Sequence, residues 1–136
     1  MKVFVDTNVL VDYICKREPF FVPAKSLFAL CLLGKIEIVI SSLSVVNAIY
    51  IGRKYKSVEL KQKLKGLSQI VSFVDLSTSA VLESLDTTWK DYEDALQNAT
   101  ALAVGADSIV TRNKKDFEDT SLAVYTPDEL LEILCR

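Results

Sequence analysis

The fold of this chain is decided by its opening stretch, Lys2-Val3-Phe4-Val5-Asp6-Thr7-Asn8-Val9-Leu10. The first residues form a short apolar run rich in β-branched and aromatic side chains, which predicts a buried strand. The run ends at Asp6, and a carboxylate at the end of a buried strand is costly unless a metal, a cation or backbone N–H groups use it. Asp6 is therefore the first candidate site residue.

Strand patterns and helix patterns alternate along the rest of the chain. We predict four more short strands, at residues 36–40, 70–74, 108–111 and 122–125, with helices between them. Strands in this arrangement pair in parallel and carry helices on both faces. The predicted fold is therefore α/β, a three-layer sandwich around a mostly parallel five-stranded sheet. In such sheets the functional site lies at the carboxyl ends of the strands.

Capping signals mark several helix ends. Serines are predicted to begin three helices: Ser41 or Ser42, Ser57, and Ser77 or Ser79. Pro23 is predicted to open the second helix and Gly34 to end it, and Gly105 is predicted to end the sixth helix. The run Thr126-Pro127-Asp128-Glu129 predicts a capping box for the last helix. In the third helix, the predicted apolar side consists of Val46, Ile49 and Tyr50.

Length and composition indicate a folded domain. The chain has 136 residues, half of them hydrophobic, and a mean hydropathy of +0.26. These values predict a single domain, residues 1–136, and argue against disorder. The longest apolar run, residues 27–33, is too short to cross a bilayer, and the N-terminus does not resemble a signal peptide. We expect a cytoplasmic protein with no membrane association.

The absence of histidine excludes more kinds of catalytic and metal site than any other feature of the composition. The chain has no histidine and three widely spaced cysteines, Cys15, Cys31 and Cys135. Ser-His-Asp and Cys-His catalysis are therefore excluded, and neither a zinc site nor a disulfide framework is expected. Any metal would be bound by oxygen atoms, which favours Mg²⁺ or Mn²⁺. A net charge of −2 gives no general attraction for nucleic acid, so such a role needs a local basic patch.

Oxygen-bearing side chains on four elements are candidate ligands for such a metal. They are Asp6, then Asn47 in the third helix, Asp91 and Asp94 at the start of the sixth helix, and Asn113 and Asp116 after the fourth strand. Asp91 and Asp94 are three positions apart, so both can face the same side of a helix. If the acids converge, their repulsion raises their pKa values until a divalent cation relieves it. Such a cation activates water and stabilises charge on a phosphoryl oxygen.

Each of these residues, taken alone, also has a plain structural explanation. Asp91 and Asp94 fit an N-cap and a first-turn acid, which the helix dipole favours. Asp116 fits a solvated turn, and Asn47 fits a surface amide or one bonded to the backbone. Asp6 is hardest to explain in this way, and the conjunction of all these residues favours a site.

The sequence as a whole resembles the PIN domain, the metal-dependent nuclease fold that includes VapC-type toxins. The opening stretch is similar to the first motif of that family. Residues 93–97, 105–107 and 109–117 are similar to its third and fourth motifs in order and spacing, so the resemblance covers almost the whole chain. The resemblance implies a central first strand and hydrolysis of RNA phosphodiester bonds with Mg²⁺ or Mn²⁺.

The resemblance also implies roles for individual residues. The matching acids are Asp6, Asp94 and Asp116, as catalytic and metal-binding residues, with Asp91 as a neighbour that assists. The family commonly has Glu near Asn47 and Asp near Asn113, where this chain offers neutral amide oxygens as ligands. Losing two charges weakens ion binding and leaves open whether the chain is a slow nuclease or an inactive one retained for binding.

The predicted RNA-binding residues border the predicted acids. They are Thr111, Arg112, Lys114 and Lys115, whose contacts to phosphate would weaken with salt. A second basic cluster contains Arg53, Lys54, Lys56, Lys61, Lys63 and Lys65, but a solvated helix face explains it equally well. The resemblance further implies a toxin of a type II toxin–antitoxin pair, with an antitoxin that blocks the acidic cleft and a toxin homodimer.

Two other functions compete with the nuclease. Residues 6–10 superficially resemble the nucleophile motif of haloacid-dehalogenase-like phosphatases, but those enzymes have a second acid where this chain has Asn8. The other alternative is a PIN-like scaffold that binds RNA or a protein without catalysis. Metal-dependent turnover that is lost on mutating Asp6 distinguishes the enzyme from the scaffold.

Overall fold

The structure is a computed structural model that describes residues 1–55 and 59–136. Its elements in chain order are β1 (Lys2–Val5), α1 (Thr7–Ile14), α2 (Phe21–Leu32), β2 (Glu37–Ser41), α3 (Ser42–Lys54), α4 (Leu60–Leu67), β3 (Ser72–Val74), α5 (Thr78–Leu85), α6 (Tyr92–Ala103), β4 (Ser108–Val110), a 3₁₀ helix (Lys114–Phe117), β5 (Ala123–Tyr125) and α7 (Pro127–Leu134). The predicted N-cap Ser57 and the basic residue Lys56 lie outside the described residues. Each helix that is described falls short of the length and apolarity needed to cross a bilayer.

All five strands belong to one sheet, in the order β3-β2-β1-β4-β5. Every pairing between them is parallel, and β1 lies at the centre, with Phe4 paired to Val39 on one side and to Ile109 on the other. This confirms the predicted α/β fold with a parallel sheet. Because the strands are parallel, their carboxyl ends share one edge of the sheet, where the residues that follow β1 and β4 meet.

Alternate residues of the central strand are buried against opposite helical layers. Val3 and Val5 belong to an apolar cluster that includes residues of α1, α2, α4 and α7. Phe4 points the other way, into a cluster with Ala101 of α6 and Phe117 of the 3₁₀ helix. The sheet is therefore the middle of three layers, as predicted, and both layers fix the central strand that leads into Asp6.

Five predicted capping residues lie at helix ends as expected: Ser41, Ser77 and Thr126 at the start of a helix, and Gly34 and Gly105 just after one. Ser41 precedes α3 and its hydroxyl accepts a hydrogen bond from the backbone N–H of Ser44 at 3.1 Å. Thr126 begins α7 with a reciprocal capping box. Gly34 and Gly105 have φ values of 75° and 71°, a left-handed conformation that a side chain would disfavour. These ends are encoded locally, so they can be predicted from the sequence.

Two helix predictions were wrong. Pro23 does not open α2, because that helix begins two residues earlier. The predicted apolar side of α3 is wrong at two of its three residues, since Val46 and Tyr50 are 51% and 64% exposed, whereas Ile49 is half-buried against the core. The buried side of α3 instead carries small residues, including Ala48 and Gly52, which permit close packing. Periodicity in large apolar side chains did not detect them.

Candidate active site

A cleft of about 480 Å³ opens at the carboxyl edge of the sheet. Five acids line it, Asp6, Asp91, Glu93, Asp94 and Asp116, together with the asparagines Asn47 and Asn113. Other polar groups in its wall are Thr7, Asn8, Gln97, Arg17 and Arg112. The fold therefore brings all six predicted metal-binding residues into one cleft, although they come from widely separated parts of the chain.

Asp6 occupies the N-cap of α1 directly after the central strand, and both of its carboxylate oxygens accept hydrogen bonds. Oδ1 accepts from the backbone N–H of Thr7 at 2.8 Å, and Oδ2 accepts from the Thr111 hydroxyl at 2.9 Å. Burial raises the pKa of Asp6, and the hydrogen bonds from Thr111, Thr7 and Gln97 oppose that rise. The carboxylate is thus held in one orientation at the floor of the cleft.

Gln97 is a buried polar residue to which sequence reasoning gave no role. Its Nε2 donates to Ser44 Oγ at 2.7 Å and, at 3.5 Å, to Asp6 Oδ1, while its Oε1 accepts from Ser41 Oγ at 2.6 Å. The amide therefore ties α6 to the start of α3 and to the end of β1. A signal was present, because Gln97 lies three positions after Asp94 and so on the same helical face.

The acidity of Asp94 is strongly perturbed in the cleft. It stands in the first turn of α6, where its backbone N–H donates to Asp91 Oδ1 at 3.0 Å. Partial burial, followed by the negative charges of Asp91, Asp6, Asp116 and Glu93, raises the pKa of Asp94 to about 7. Asp91 is therefore the N-cap of α6, as its plain structural explanation predicts, and its charge also helps to raise the pKa of Asp94.

Asn47 and Glu93 are paired with each other in one wall of the cleft. The side-chain amide of Asn47 donates a hydrogen bond to Glu93 Oε1. Glu93 was not among the predicted site residues, although it directly precedes Asp94 in the sequence. The contact places a carboxylate beside the neutral Asn47, so this wall of the cleft retains a negative charge.

The four residues predicted to bind RNA lie in different surroundings. Thr111 is fully buried, and its hydroxyl donates to the carboxylate of Asp6, so we correct its role from substrate contact to support of that acid. Lys114 forms an exposed ion pair with a glutamate of α7, at 3.1 Å. Lys115 lines a neighbouring hollow of about 320 Å³. Arg112 lines the cleft itself.

A buried ion cluster lies under one rim of the cleft. The side chain of Asp12 is 1% exposed, and its two oxygens accept from Arg17 Nε at 2.8 Å and from Arg112 Nε at 2.7 Å. Burial raises the pKa of Asp12, and the guanidinium groups of Arg112 and Arg17 oppose that rise. Sequence reasoning missed this cluster, although an acid inside the apolar pattern of α1 indicates a buried charged partner.

The donor set of the cleft fits a hard divalent cation. Its carboxylate and amide oxygens are the ligands that Mg²⁺ and Mn²⁺ prefer, and the crowding of acids around Asp94 is relieved by positive charge. Within residues 1–55 and 59–136, no three acidic or cysteine side chains lie close enough together to form a ready-made cage. Mg²⁺ commonly keeps several waters and uses only one or two carboxylates, so the residues fit such an ion.

Comparison with known proteins extends these observations. The sequence model of the PIN domain matches residues 2–115. The chain is 26% identical over 136 residues to a protein named Ribonuclease VapC1 from Aquifex aeolicus (strain VF5), with 96% of this chain and 94% of the relative covered. Among solved structures, a toxin–antitoxin complex from Klebsiella pneumoniae has a TM-score of 0.70 at 25% identity, with 92% of this chain and 97% of the other covered. VapBC2 from Rickettsia felis, bound to a DNA fragment from its promoter, has a TM-score of 0.65 at 23% identity, with coverages of 91% and 97%.

Proposed function

Because the chain belongs to the PIN domain family, we propose that it is a VapC-like toxin ribonuclease that hydrolyses RNA phosphodiester bonds with the help of a divalent cation. The observation that carries the proposal is the convergence of Asp6, Asp94 and Asp116 on one cleft at the carboxyl edge of the sheet. The relative named Ribonuclease VapC1 and the toxin–antitoxin neighbour support it. The family match confirms the resemblance seen in the sequence.

In this proposal the acids hold the cation and the buried polar groups hold the acids. Asp6, Asp94 and Asp116 would bind Mg²⁺ or Mn²⁺, with Asp91, Asn47 and Asn113 as nearby oxygen donors. When bound, the cation lowers the pKa of a water nucleophile and stabilises negative charge on the phosphoryl oxygens. Hydrogen bonds from Thr7, Thr111 and Gln97 hold Asp6 in place, so the site needs little reorganisation when substrate arrives.

A second candidate function is a scaffold that binds RNA or a protein with little or no turnover. Asn47 and Asn113 favour it, because a neutral amide holds a cation less tightly than a carboxylate does. The contact between Glu93 and Asn47 argues for the enzyme, since a carboxylate remains at that wall of the cleft. We therefore rank the ribonuclease first.

The first prediction concerns turnover. We expect the protein to cleave a mixed pool of tRNA and mRNA in Mn²⁺ or Mg²⁺, and we expect Asp94→Asn to lower the cleavage rate by at least about a hundredfold, because it removes a charged ligand. The measurement is a time course resolved on a denaturing gel, with cut sites mapped by primer extension.

The matched control for this test is Asp75→Asn. Asp75 also follows a strand of the sheet, but that strand is the edge strand β3, and Asp75 does not line the cleft. Its rate should equal that of the wild type. Absence of cleavage by folded wild-type protein in either metal would overturn the ribonuclease and leave the scaffold as the better account.

We propose an antitoxin protein that covers the acidic cleft, a toxin homodimer, and a cytoplasmic location. The antitoxin is supported by the structural likeness to a toxin–antitoxin complex, and the homodimer and the location rest on the resemblance. Light scattering after size-exclusion chromatography tests the homodimer, and co-purification with the product of a neighbouring reading frame tests the antitoxin.

A further inference from the structure

The two arginines bound to Asp12 differ in what remains available on each guanidinium. Arg17 also donates from Nη1 to the Tyr55 hydroxyl at 3.3 Å and from Nη2 to the backbone oxygen of Asn8 at 3.1 Å. Its three nitrogens are therefore all engaged inside the protein. Arg17 is consequently a structural brace for Asp12.

The Arg112 guanidinium is hydrogen-bonded to Asp12 along one edge, and among the described residues its opposite edge is free to bind another group. Its Nε and Nη2 donate to the two oxygens of Asp12 at 2.7 and 3.4 Å, and the Phe20 ring lies 4.0 Å from its guanidinium carbon. Its backbone N–H is also fixed, by Asn8 Oδ1 at 3.3 Å. In the part of the chain that the structure describes, its Nη1 has no hydrogen-bond acceptor. The side chain is 26% exposed and lines the cleft.

We propose that Asp12 is a positioning residue that holds Arg112 so that its Nη1 edge binds a phosphate of the RNA backbone beside the acids. Asp12 itself is buried and touches no substrate. This proposal rests on the proposed function, because it assigns the group that the same cleft uses to bind RNA. Two guanidinium groups and one carboxylate leave one positive charge on the cluster, and that charge is available at the rim.

The acidity of the cleft explains why such an arginine needs to be held. Five carboxylates line the cleft: Asp6, Asp91, Glu93, Asp94 and Asp116. A mobile guanidinium would be drawn onto these acids, where it would compete with a cation for their oxygens. By binding two nitrogens from below, Asp12 keeps the guanidinium apart from them, and the Phe20 ring covers one of its faces. A planar guanidinium held at one edge presents a defined donor to phosphate.

The test asks whether loss of the negative charge of Asp12 tightens or weakens RNA binding. Removing a negative charge near a nucleic-acid site generally tightens RNA binding. The positioning role predicts the opposite: Asp12→Asn should weaken RNA binding by about three- to tenfold, because the Arg112 guanidinium loses the carboxylate that orients it. Binding of a fluorescein-labelled single-stranded RNA is measured by anisotropy in EDTA, so that no turnover intervenes. The control Asp86→Asn, at an exposed acid after α5, should leave binding unchanged or slightly tighter.

The link to Arg112 is tested by a double-mutant cycle and by salt dependence. Arg112→Ala should weaken binding by about tenfold and reduce the slope of log affinity against log salt by about 0.7, the value for one phosphate contact on a single strand. In the Arg112→Ala background, Asp12→Asn should change affinity by less than about twofold. The charge-matched control is Arg136→Ala, at an exposed residue of the C-terminus, for which no change is expected.

Two further variants keep the proposal testable if Asp12→Asn does not fold, because loss of a buried partner charge is severe. Phe20→Leu alters a 38% exposed side chain, and it should weaken binding by about two- to fivefold through the lost cation–π contact. Arg112→Lys keeps the positive charge but loses the planar guanidinium with its fixed donors, and it should bind RNA nearly as weakly as Arg112→Ala. Wild-type affinity in Arg112→Lys, or tighter binding in a folded Asp12→Asn, would overturn the proposal.

The outcomes separate this proposal from the ribonuclease. Wild-type protein that binds RNA without cutting it, with the effects above, would reject the ribonuclease and retain the role of Asp12. If Asp12→Asn and Arg112→Ala still cleave RNA and bind it with unchanged affinity, the ribonuclease would be retained and the role of Asp12 rejected. Wild-type protein that does not bind the RNA probe would reject the phosphate contact.

Discussion

At the scale of single residues, Asp94 links protonation to stability. The pKa of Asp94 in the folded protein is raised to about 7, by burial and by its acidic neighbours, against an ordinary value of 3.8. Between these two values the folded chain holds a proton that the unfolded chain releases. Folding is therefore favoured by protons in this window, and the contribution of Asp94 to stability grows as the pH falls from about 8 towards 5.

We therefore predict that the metal-free protein melts at a higher temperature at pH 6 than at pH 8, and that Asp94→Asn reduces this difference. The neutral amide removes the charge that is unfavourable above pH 7, so the variant should be the more stable protein at pH 8. Melting curves followed by circular dichroism in EDTA provide the measurement. Asp86→Asn serves as the control, and parallel curves for wild type and Asp94→Asn would contradict the assignment.

The residues that sequence reasoning identified are those whose chemistry is visible locally. Asp6 was found because an acid ends an apolar strand, and Asp94 because it opens a strong helix. Asp12 and Gln97 were missed because their meaning depends on partners far along the chain: Arg112 is 100 positions from Asp12, and Ser41 is 56 from Gln97. Neither periodicity nor motif spacing encodes such a distance.

At the scale of secondary-structure elements, two glycines have opposite requirements. Gly66 lies inside α4 with nothing within 4 Å of the position a Cβ would take, so alanine there adds helix propensity without a clash. Gly105 follows α6 with a φ of 71°, which alanine adopts only with strain. The same substitution should therefore have opposite effects at the two positions.

We predict that Gly66→Ala raises the free energy of unfolding by about 0.5 kcal/mol and that Gly105→Ala lowers it by about 1 kcal/mol. Urea titrations of both variants measure these changes as shifts of the midpoint at constant slope. Each variant is the control for the other, because both add one methyl group to an exposed glycine. Destabilisation of similar size in both would show that lost space, and not backbone conformation, decides the outcome.

Element boundaries were predictable where the signal is a cap and less so where it is packing. The reciprocal bonds between Thr126 and Glu129 appear as expected. The buried side of α3 was predicted correctly only at Ile49. Ala48 and Gly52 were missed, because such small residues give a weak periodic signal and matter only for how closely α3 can pack. Small buried residues are generally recognised only once the partner element is known.

At the scale of the whole molecule, a bound cation should stabilise the fold, because its proposed ligands come from elements on both faces of the sheet. A ligand at a hundredfold excess over its Kd adds about 2.7 kcal/mol to the free energy of unfolding. We predict that Mn²⁺ raises the Tm of the wild type by several degrees, and that this increase is largely lost in Asp94→Asn. Differential scanning fluorimetry, with Asp75→Asn as the control, measures the shift. An equal increase in all three proteins would place the cation elsewhere.

The single domain predicted from the length of the chain stays a prediction. The sheet joins residues from Lys2 to Tyr125, so we expect the strands and the helices packed on them to unfold together. Coincident transitions in circular dichroism and in fluorescence of Trp89 would support one cooperative unit. Two separated transitions would show that the chain unfolds as two units and would contradict the single domain.

The central position of β1 determines when the site can exist during translation. β1 is synthesised before both of its neighbours, and the residues that close the sheet beside it, such as Thr111, follow Asp6 by 105 positions. Contacts this distant in sequence form late, because the intervening chain must first be made and ordered. The ribosome must therefore have made the chain at least as far as Asp116 before the three acids can meet. A growing chain that already carries Asp6 has until then no assembled site with which to attack the RNA around it.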